Sequence, residues 1–181
     1  MDNPFMTFIA EGVGEAGIRV LRFEFPYMAA RRVDAKRRAP DREAVLLQTW
    51  RSAVADSGAT RPFIGGKSMG GRMASMVADE LQAAGLVCLG YPFHPPGNPA
   101  KTRTAHLEHL ATPALIVQGT NDSFGTRDEV AAYRLSPAIS RRWVEGGNHD
   151  LVAKGTGRAS GWTMVVEAVS AFIKARASAG T

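Results

Sequence analysis

Gly65-Gly66-Lys67-Ser68-Met69-Gly70-Gly71 changes secondary structure within a few residues and places a hydroxyl at the change. Arg61-Pro62-Phe63-Ile64 before it is short and apolar enough for a buried strand, and Met69, Met73, Met76, Val77 and Leu81 after it recur at helical spacing. The chain is therefore expected to turn sharply from strand to helix at Ser68. Its core, Gly66-x-Ser68-x-Gly70, has the form of a nucleophile elbow. In such a turn the serine backbone is strained, and the residues two before and two after must be small. Glycine occupies both places, as Gly66 and Gly70.

Two other readings of this stretch compete. Gly66-Lys67-Ser68 matches the end of the phosphate-binding pattern G-x-x-x-x-G-K-[ST], but that pattern requires glycine at position 61, where Arg61 stands. The blander reading is a glycine-rich strand-to-helix connection with no chemistry, which G-x-S-x-G alone does not exclude. An acid and a histidine at matching strand ends would decide the matter.

The 181 residues suggest one domain, residues 1–181, with room for a substantial core. Hydrophobic content of 45% and charged content of 22% are those of a soluble globular protein, and no segment is apolar over the length of a bilayer. The N-terminus lacks the basic-then-apolar pattern of a secretory signal. A single cysteine, Cys88, cannot form an internal disulfide, so a cytoplasmic, reducing setting is expected. Much of the net charge of +5 is concentrated in residues 31–42, from Arg31 to Arg42, read as a long loop between a strand and a helix. One reading of this run is a solvated surface loop; the sharper one is a site for an anionic substrate group or partner. Nucleic acid is not expected, because no aromatic residue accompanies the charge as a stacking platform.

Taken in order, Asp2-Asn3-Pro4 supplies a cap and a proline at a first helical position, and Phe5, Phe8, Ile9 and Val13 continue at helical spacing until Gly14 and Gly17. Ile18-Arg19-Val20-Leu21-Arg22-Phe23-Glu24-Phe25 alternates as a strand, ended by Pro26. A helix follows from Asp41 to Ser57 with Val45, Leu46, Trp50 and Val54 on its apolar face. After the elbow, Leu86-Val87-Cys88-Leu89-Gly90 and Pro113-Ala114-Leu115-Ile116-Val117-Gln118-Gly119 are nearly all-apolar runs, as expected for parallel strands covered on both faces. Asp128 to Leu135 is predicted helical, Arg141-Arg142-Trp143-Val144-Glu145 a last strand, and Trp162 to Ala177 a final helix. This alternation predicts an α/β fold with a mostly parallel open sheet and helices on both faces. Reactive residues in such sheets collect in loops at the carboxyl ends of strands.

Two of those loops hold the partners that Ser68 needs. Asp122 lies in Gln118-Gly119-Thr120-Asn121-Asp122-Ser123, and His149 in Glu145-Gly146-Gly147-Asn148-His149-Asp150. In this reading His149 takes the proton from Ser68 during attack on a carbonyl, and Asp122 orients the imidazole and stabilises its charged form. Asp150 is a rival acid, but sequence neighbours rarely orient one another's side chains. The Met69 amide is the expected oxyanion donor. Lys67 is expected to point toward solvent or substrate, and Tyr91 and His94 to border the pocket in a rigid strand-end loop. His106 and His109 read as surface residues of a short helix without metal-ligand spacing. The stretch from Tyr91 to Leu110 is too short for a lid domain, so an open, shallow pocket is expected.

The order Ser, Asp, His is that of an α/β-hydrolase, and the chain resembles the small dienelactone-hydrolase-like group of that superfamily. Within it, the chain is similar to the branch containing a subunit of a eukaryotic chromatin-acetylation complex. The residues that carry the resemblance are Phe25-Pro26-Tyr27-Met28, Gly65-Gly66-Lys67-Ser68-Met69-Gly70-Gly71-Arg72, Gly90-Tyr91-Pro92-Phe93-His94-Pro95-Pro96-Gly97, Gln118-Gly119-Thr120-Asn121-Asp122 and Gly147-Asn148-His149. The resemblance implies a minimal hydrolase fold and the triad named above.

It also implies a departure. Members of this group begin with a further central strand ending in a His-Gly-type loop, just before the segment corresponding to Asp2-Asn3-Pro4-Phe5. That strand would lie between residues 18–25 and the Phe63 strand. Its absence would leave a gap with unpaired backbone groups. It would also remove one of two oxyanion donors, a loss of roughly 10²–10³ in rate. The expectation is that Met1 is an internal methionine of a longer gene product. The alternatives are that the flanking strands close the gap directly or that a neighbouring chain supplies the edge, as in a homodimer.

The function expected is that of a serine hydrolase cleaving an ester, thioester or lactone through an acyl-enzyme on Ser68. Its partner would be a small-molecule acyl substrate, with no cofactor, no metal and no membrane. The alternative is a non-catalytic interaction module that retains the triad residues.

Overall fold

Asn3 caps the first helix, α1 (Pro4–Glu15), its side-chain oxygen accepting from the Phe5 N–H at 2.9 Å while Pro4 takes the position that needs no donor. The computed structural model describes residues 3–178 apart from residue 156, so Asp2 lies outside the described residues. Helix α1 buries Phe5, Ile9 and Val13. Phe5 and Phe8 both meet the edge of Trp162, at ring-centroid distances of 5.3 and 5.6 Å.

Four strands make the sheet: β1 (Phe63–Lys67), β2 (Gly85–Leu89), β3 (Ala114–Gly119) and β4 (Ile139–Val144). They pair in sequence order and all are parallel, leaving β1 and β4 at the two edges. Register carries one row of side chains across the whole sheet, Ile64 beside Leu86, Leu86 beside Ala114 and Ala114 beside Ile139. All four belong to one apolar cluster, together with Leu46 and Trp50 of helix α3 (Glu43–Ser57) and Met73, Ala74 and Val77 of helix α4 (Met69–Val77). The alternate residues Val87, Leu89, Leu115 and Val117 face the opposite way. They pack with α1 and with Trp162, Val165 and Val169 of the last helix, α6 (Arg158–Ala177). Period-two alternation thus feeds two cores. That is why β2 and β3 read as continuous apolar runs and are buried at every residue. Between Leu89 and Ala114 the chain makes a single 3-10 turn, Ala105–Glu108, and no lid domain.

Three expectations need correction. Residues 18–25 form no strand. Their alternation is real, but a strand exists only through a partner, and β1 pairs with β2 alone. Val20 and Leu21 are consequently exposed, while Phe23 and Phe25 are held by aromatic contacts, Phe23 lying 4.7 Å from Trp50. The flanking segments therefore do not close the sheet directly. Secondly, Pro26 begins a helix as well as ending the extended segment. Helix α2 (Pro26–Asp34) places proline in its first turn and closes on Ala35 in the left-handed conformation, φ 55°. The basic run is thus part helix and part coil; residues 31–40 are all exposed, with Arg32 paired to Glu24 at 3.1 Å and Arg38 paired to Asp34. Lastly, the helix predicted over residues 128–135 is only α5 (Arg127–Ala131), fixed by a capping box between Thr126 and Glu129. Among the described residues no helix is long and apolar enough to cross a membrane.

Candidate active site

β1 ends at Lys67, α4 begins at Met69, and Ser68 between them has φ 51° and ψ −119°. A side chain in this region of backbone space costs about 1–3 kcal/mol. The cost is offset by hydrogen bonds on both sides, Ser68 N–H to Leu89 O at 2.9 Å and Arg72 N–H to Ser68 O at 3.0 Å. The crowding around the elbow differs from the expected pair of glycines. A Cβ on Gly66 would lie 2.9 Å from the Gly70 carbonyl carbon, and one on Gly71 would lie 2.6 Å from Gly66 O, whereas one on Gly70 would meet nothing within 4 Å. Steric need therefore falls on Gly66 and Gly71, because α4 comes back against its own strand there. Met69 is the first residue of α4, where an N–H has no acceptor within the helix.

His149 reaches this serine, and Asp122 reaches His149. Asp122, just beyond β3, is fully buried and accepts from the Phe124 N–H and the Gln118 side-chain amide, each at 2.9 Å. Its Oδ2 also accepts from His149 Nδ1 at 2.8 Å, and His149 Nε2 lies 2.9 Å from Ser68 Oγ. A proton on Nδ1 leaves Nε2 free to accept from the serine hydroxyl. The Phe124 ring lies beside the imidazole, centroids 4.2 Å apart.

This arrangement spans the sheet. Ser68 follows the strand at one edge and His149 the strand at the other, about 14 Å away at ordinary strand spacing. Residues 145–151 cross the ends of β3 and β2 to make up the distance. Two glycines let them lie flat. A Cβ on Gly119 would stand 2.3 Å from Gly147 O and 2.5 Å from Asn148 O, and one on Gly90, φ 63°, would stand 2.9 Å from His149 O. The crossing is pinned on the β3 side by Asn121 N–H to Gly147 O at 2.9 Å and Gly146 N–H to Thr120 Oγ1 at 2.8 Å.

Of the remaining candidates, Lys67 and His106 are placed otherwise than expected, while Asp150 and His109 are placed as expected. Lys67 does not face solvent: its ammonium donates to the His149 backbone carbonyl at 2.6 Å, and burial holds its pKa below the ordinary lysine value against the opposing pull of Asp150 and Asp122. Asp150 is exposed and stands 3.7 Å from that ammonium, so Asp122 is the acid on His149. Tyr91 is buried, its N–H on Gln118 Oε1 at 2.7 Å and its hydroxyl on Arg103 O at 3.0 Å. His94 is also buried, with Nδ1 on Pro95 O at 2.8 Å and Nε2 facing Glu129 at 3.3 Å. His106 is half-buried, not superficial. It sits 2.8 Å from Ser75 Oγ, while His109 is exposed.

Two residues around the site, Gln118 and Phe124, were not singled out from the sequence. Gln118 ties Tyr91, Asp122 and Gly125 together through one amide. The signal for it was available: a lone amide in an apolar buried strand must find partners.

The fold agrees with known proteins. Residues 1–174 match the family model described as an alpha/beta hydrolase domain. A serine hydrolase homologue from Coxiella burnetii is similar at 21% identity over 94% of this chain and 76% of that chain, with a TM-score of 0.65. The esterase domain of a Rhodothermus marinus protein matches at 16% identity over 97% of this chain and 82% of that one, TM-score 0.68. A lidless serine hydrolase from Xanthomonas campestris matches at 18% identity over 96% and 74%, TM-score 0.65. At these identities the structures speak for the fold, and the family model carries the membership: the chain belongs to the alpha/beta hydrolase domain family.

Proposed function

We propose that this protein is a serine hydrolase of ester, thioester or lactone substrates, with Ser68 as nucleophile, His149 as general base and Asp122 as the group that orients it. The supporting observation is the unbroken hydrogen-bond chain from Asp122 through His149 to Ser68, 2.8 and 2.9 Å, at a serine held in an elbow conformation. In the proposed reaction Ser68 Oγ attacks the acyl carbon as its proton passes to His149 Nε2. The Met69 N–H faces the oxyanion that forms. Collapse expels the alcohol or thiol, which takes the proton from His149, and leaves an acyl group on Ser68. Water then repeats the sequence with His149 again as base, releasing the acid. The motifs around Ser68, Tyr91 and Asp122 support membership of the small dienelactone-hydrolase-like group, and the single buried cysteine, Cys88, suits a reducing cytoplasm.

A fluorophosphonate probe tests this reading. Wild-type protein is expected to be labelled and to hydrolyse p-nitrophenyl esters, and Ser68→Ala to lose both. The second reading, an interaction module, draws on the open edge of β1, where the family resemblance puts a further strand and a second oxyanion donor. Folded wild-type protein that takes no label would favour it.

A further inference from the structure

We infer that Lys67 is a positioning residue, which holds the His149 imidazole at Ser68 by binding the histidine's own backbone carbonyl. The inference rests on the hydrolase reading and concerns a residue that this reading gives no part in the chemistry.

The His149 loop travels from the far edge of the sheet, and its hydrogen bonds with Asn121 and Thr120 lie at the end of β3. Nearer the nucleophile, Asp122 holds the His149 ring and the Trp162 indole N–H donates to Asp150 O at 3.2 Å, but neither binds the His149 main chain. Lys67 does so: its ammonium donates to His149 O at 2.6 Å. Lys67 is also the residue before Ser68, and its own backbone is set by pairing with Leu89 in β2. The nucleophile and the carbonyl of its base are thus referred to one short piece of main chain.

Competing roles for the ammonium are weaker. Asp150 is 3.7 Å away and 74% exposed, the geometry of a solvent-screened pair. The Phe5 ring is 5.7 Å from the ammonium, within cation-π range but not a directional bond. The carbonyl takes the short contact. Gly90 keeps the route open, since a Cβ there would stand 2.9 Å from His149 O and 3.4 Å from Lys67 Nζ. Burial of the ammonium, which lowers its pKa, fits a group placed for a fixed partner rather than for solvent.

The test combines Lys67→Ala with chemical rescue. Turnover of p-nitrophenyl acetate is expected to fall about 10²-fold in kcat, with KM changed by less than about threefold, because the base is displaced while substrate binding is not. Added n-propylamine should restore kcat by about tenfold or more, as an ammonium refills the vacated space. Amide hydrogen exchange across residues 146–151 should quicken. Lys67→Met keeps the apolar stem; it is the second variant if alanine does not fold, and it too should lose kcat. Asp150→Asn should stay within about threefold of wild type.

A folded Lys67 variant with wild-type kcat overturns the inference. So does a loss of kcat that amine does not recover and that leaves loop exchange unchanged. Absence of labelling and turnover in the wild type would overturn the hydrolase reading instead. The exchange measurement then decides the tether by itself, unchanged protection in the variant counting against it.

Discussion

Ser68 holds a positive-φ conformation, φ 51° and ψ −119°, between strand and helix, and the glycines beside it contribute unequally. Gly66 and Gly71 lie back to back, so a methyl group on Gly71 would press on Gly66 O at 2.6 Å, a backbone atom that cannot move aside. Gly71→Ala is expected to lower stability by about 1–3 kcal/mol and to slow fluorophosphonate labelling of Ser68. Gly70→Ala meets open space and sits in the first turn of α4, so it should be neutral or stabilising by up to about 1 kcal/mol. Thermal melts of the two variants, run beside labelling time courses, separate them. This asymmetry cannot be read from G-x-S-x-G, which records where glycines stand but not which backbone lies against each. Ser68, Asp122 and His149 stood out in the sequence because each falls in or just after the end of a predicted strand. The direction of Lys67 did not, because it depends on a loop that arrives from the other side of the sheet.

Among the elements, the loop of residues 145–151 depends most on small neighbours. Gly119→Ala would place a Cβ 2.3 Å from Gly147 O and 2.5 Å from Asn148 O, both backbone atoms. The variant is expected to fold with a lower melting temperature and to lose kcat as the histidine loop lifts from the end of β3; circular dichroism and ester turnover measured together check this. β2, β3, α1, α3 and α6 were legible from apolar spacing. Residues 18–25 show the limit of that signal, since alternation reports two faces but not whether a neighbouring strand exists to receive the hydrogen bonds. Helix α2 was missed for a related reason. Its arginines look like loop charge, while Pro26 in the first turn and the two alanines, Ala29 and Ala30, favour helix.

For the molecule as a whole, the alternation of strands and helices specified an α/β sheet covered on both sides, and two separate apolar clusters bear this out. Polar groups trapped between the elements were less legible. His106 came into the interior with them. Its pKa is lowered from 6.5, by burial first and then by Arg72, with Glu43 opposing. The unfolded chain therefore binds this proton more readily, and stability should fall as pH drops below 6.5, down to the lower folded value. Above 6.5 the residue is neutral in both states and contributes no slope. Urea unfolding between about pH 7 and pH 5 should show a steeper loss in wild type than in His106→Gln, which cannot titrate. Equal slopes would show that His106 is not the group responsible.

The hydrogen bond between His149 and Ser68 joins residues that belong to opposite edges of the sheet, 81 positions apart in sequence. The proposed chemistry is therefore a clasp closed over four strands, and it holds only while both rims are seated. Edges are where a sheet first comes loose, at a fraction of the free energy of complete unfolding. The reactivity of Ser68 would then gauge the weaker rim of the molecule, falling silent while the two apolar cores beneath it are still intact.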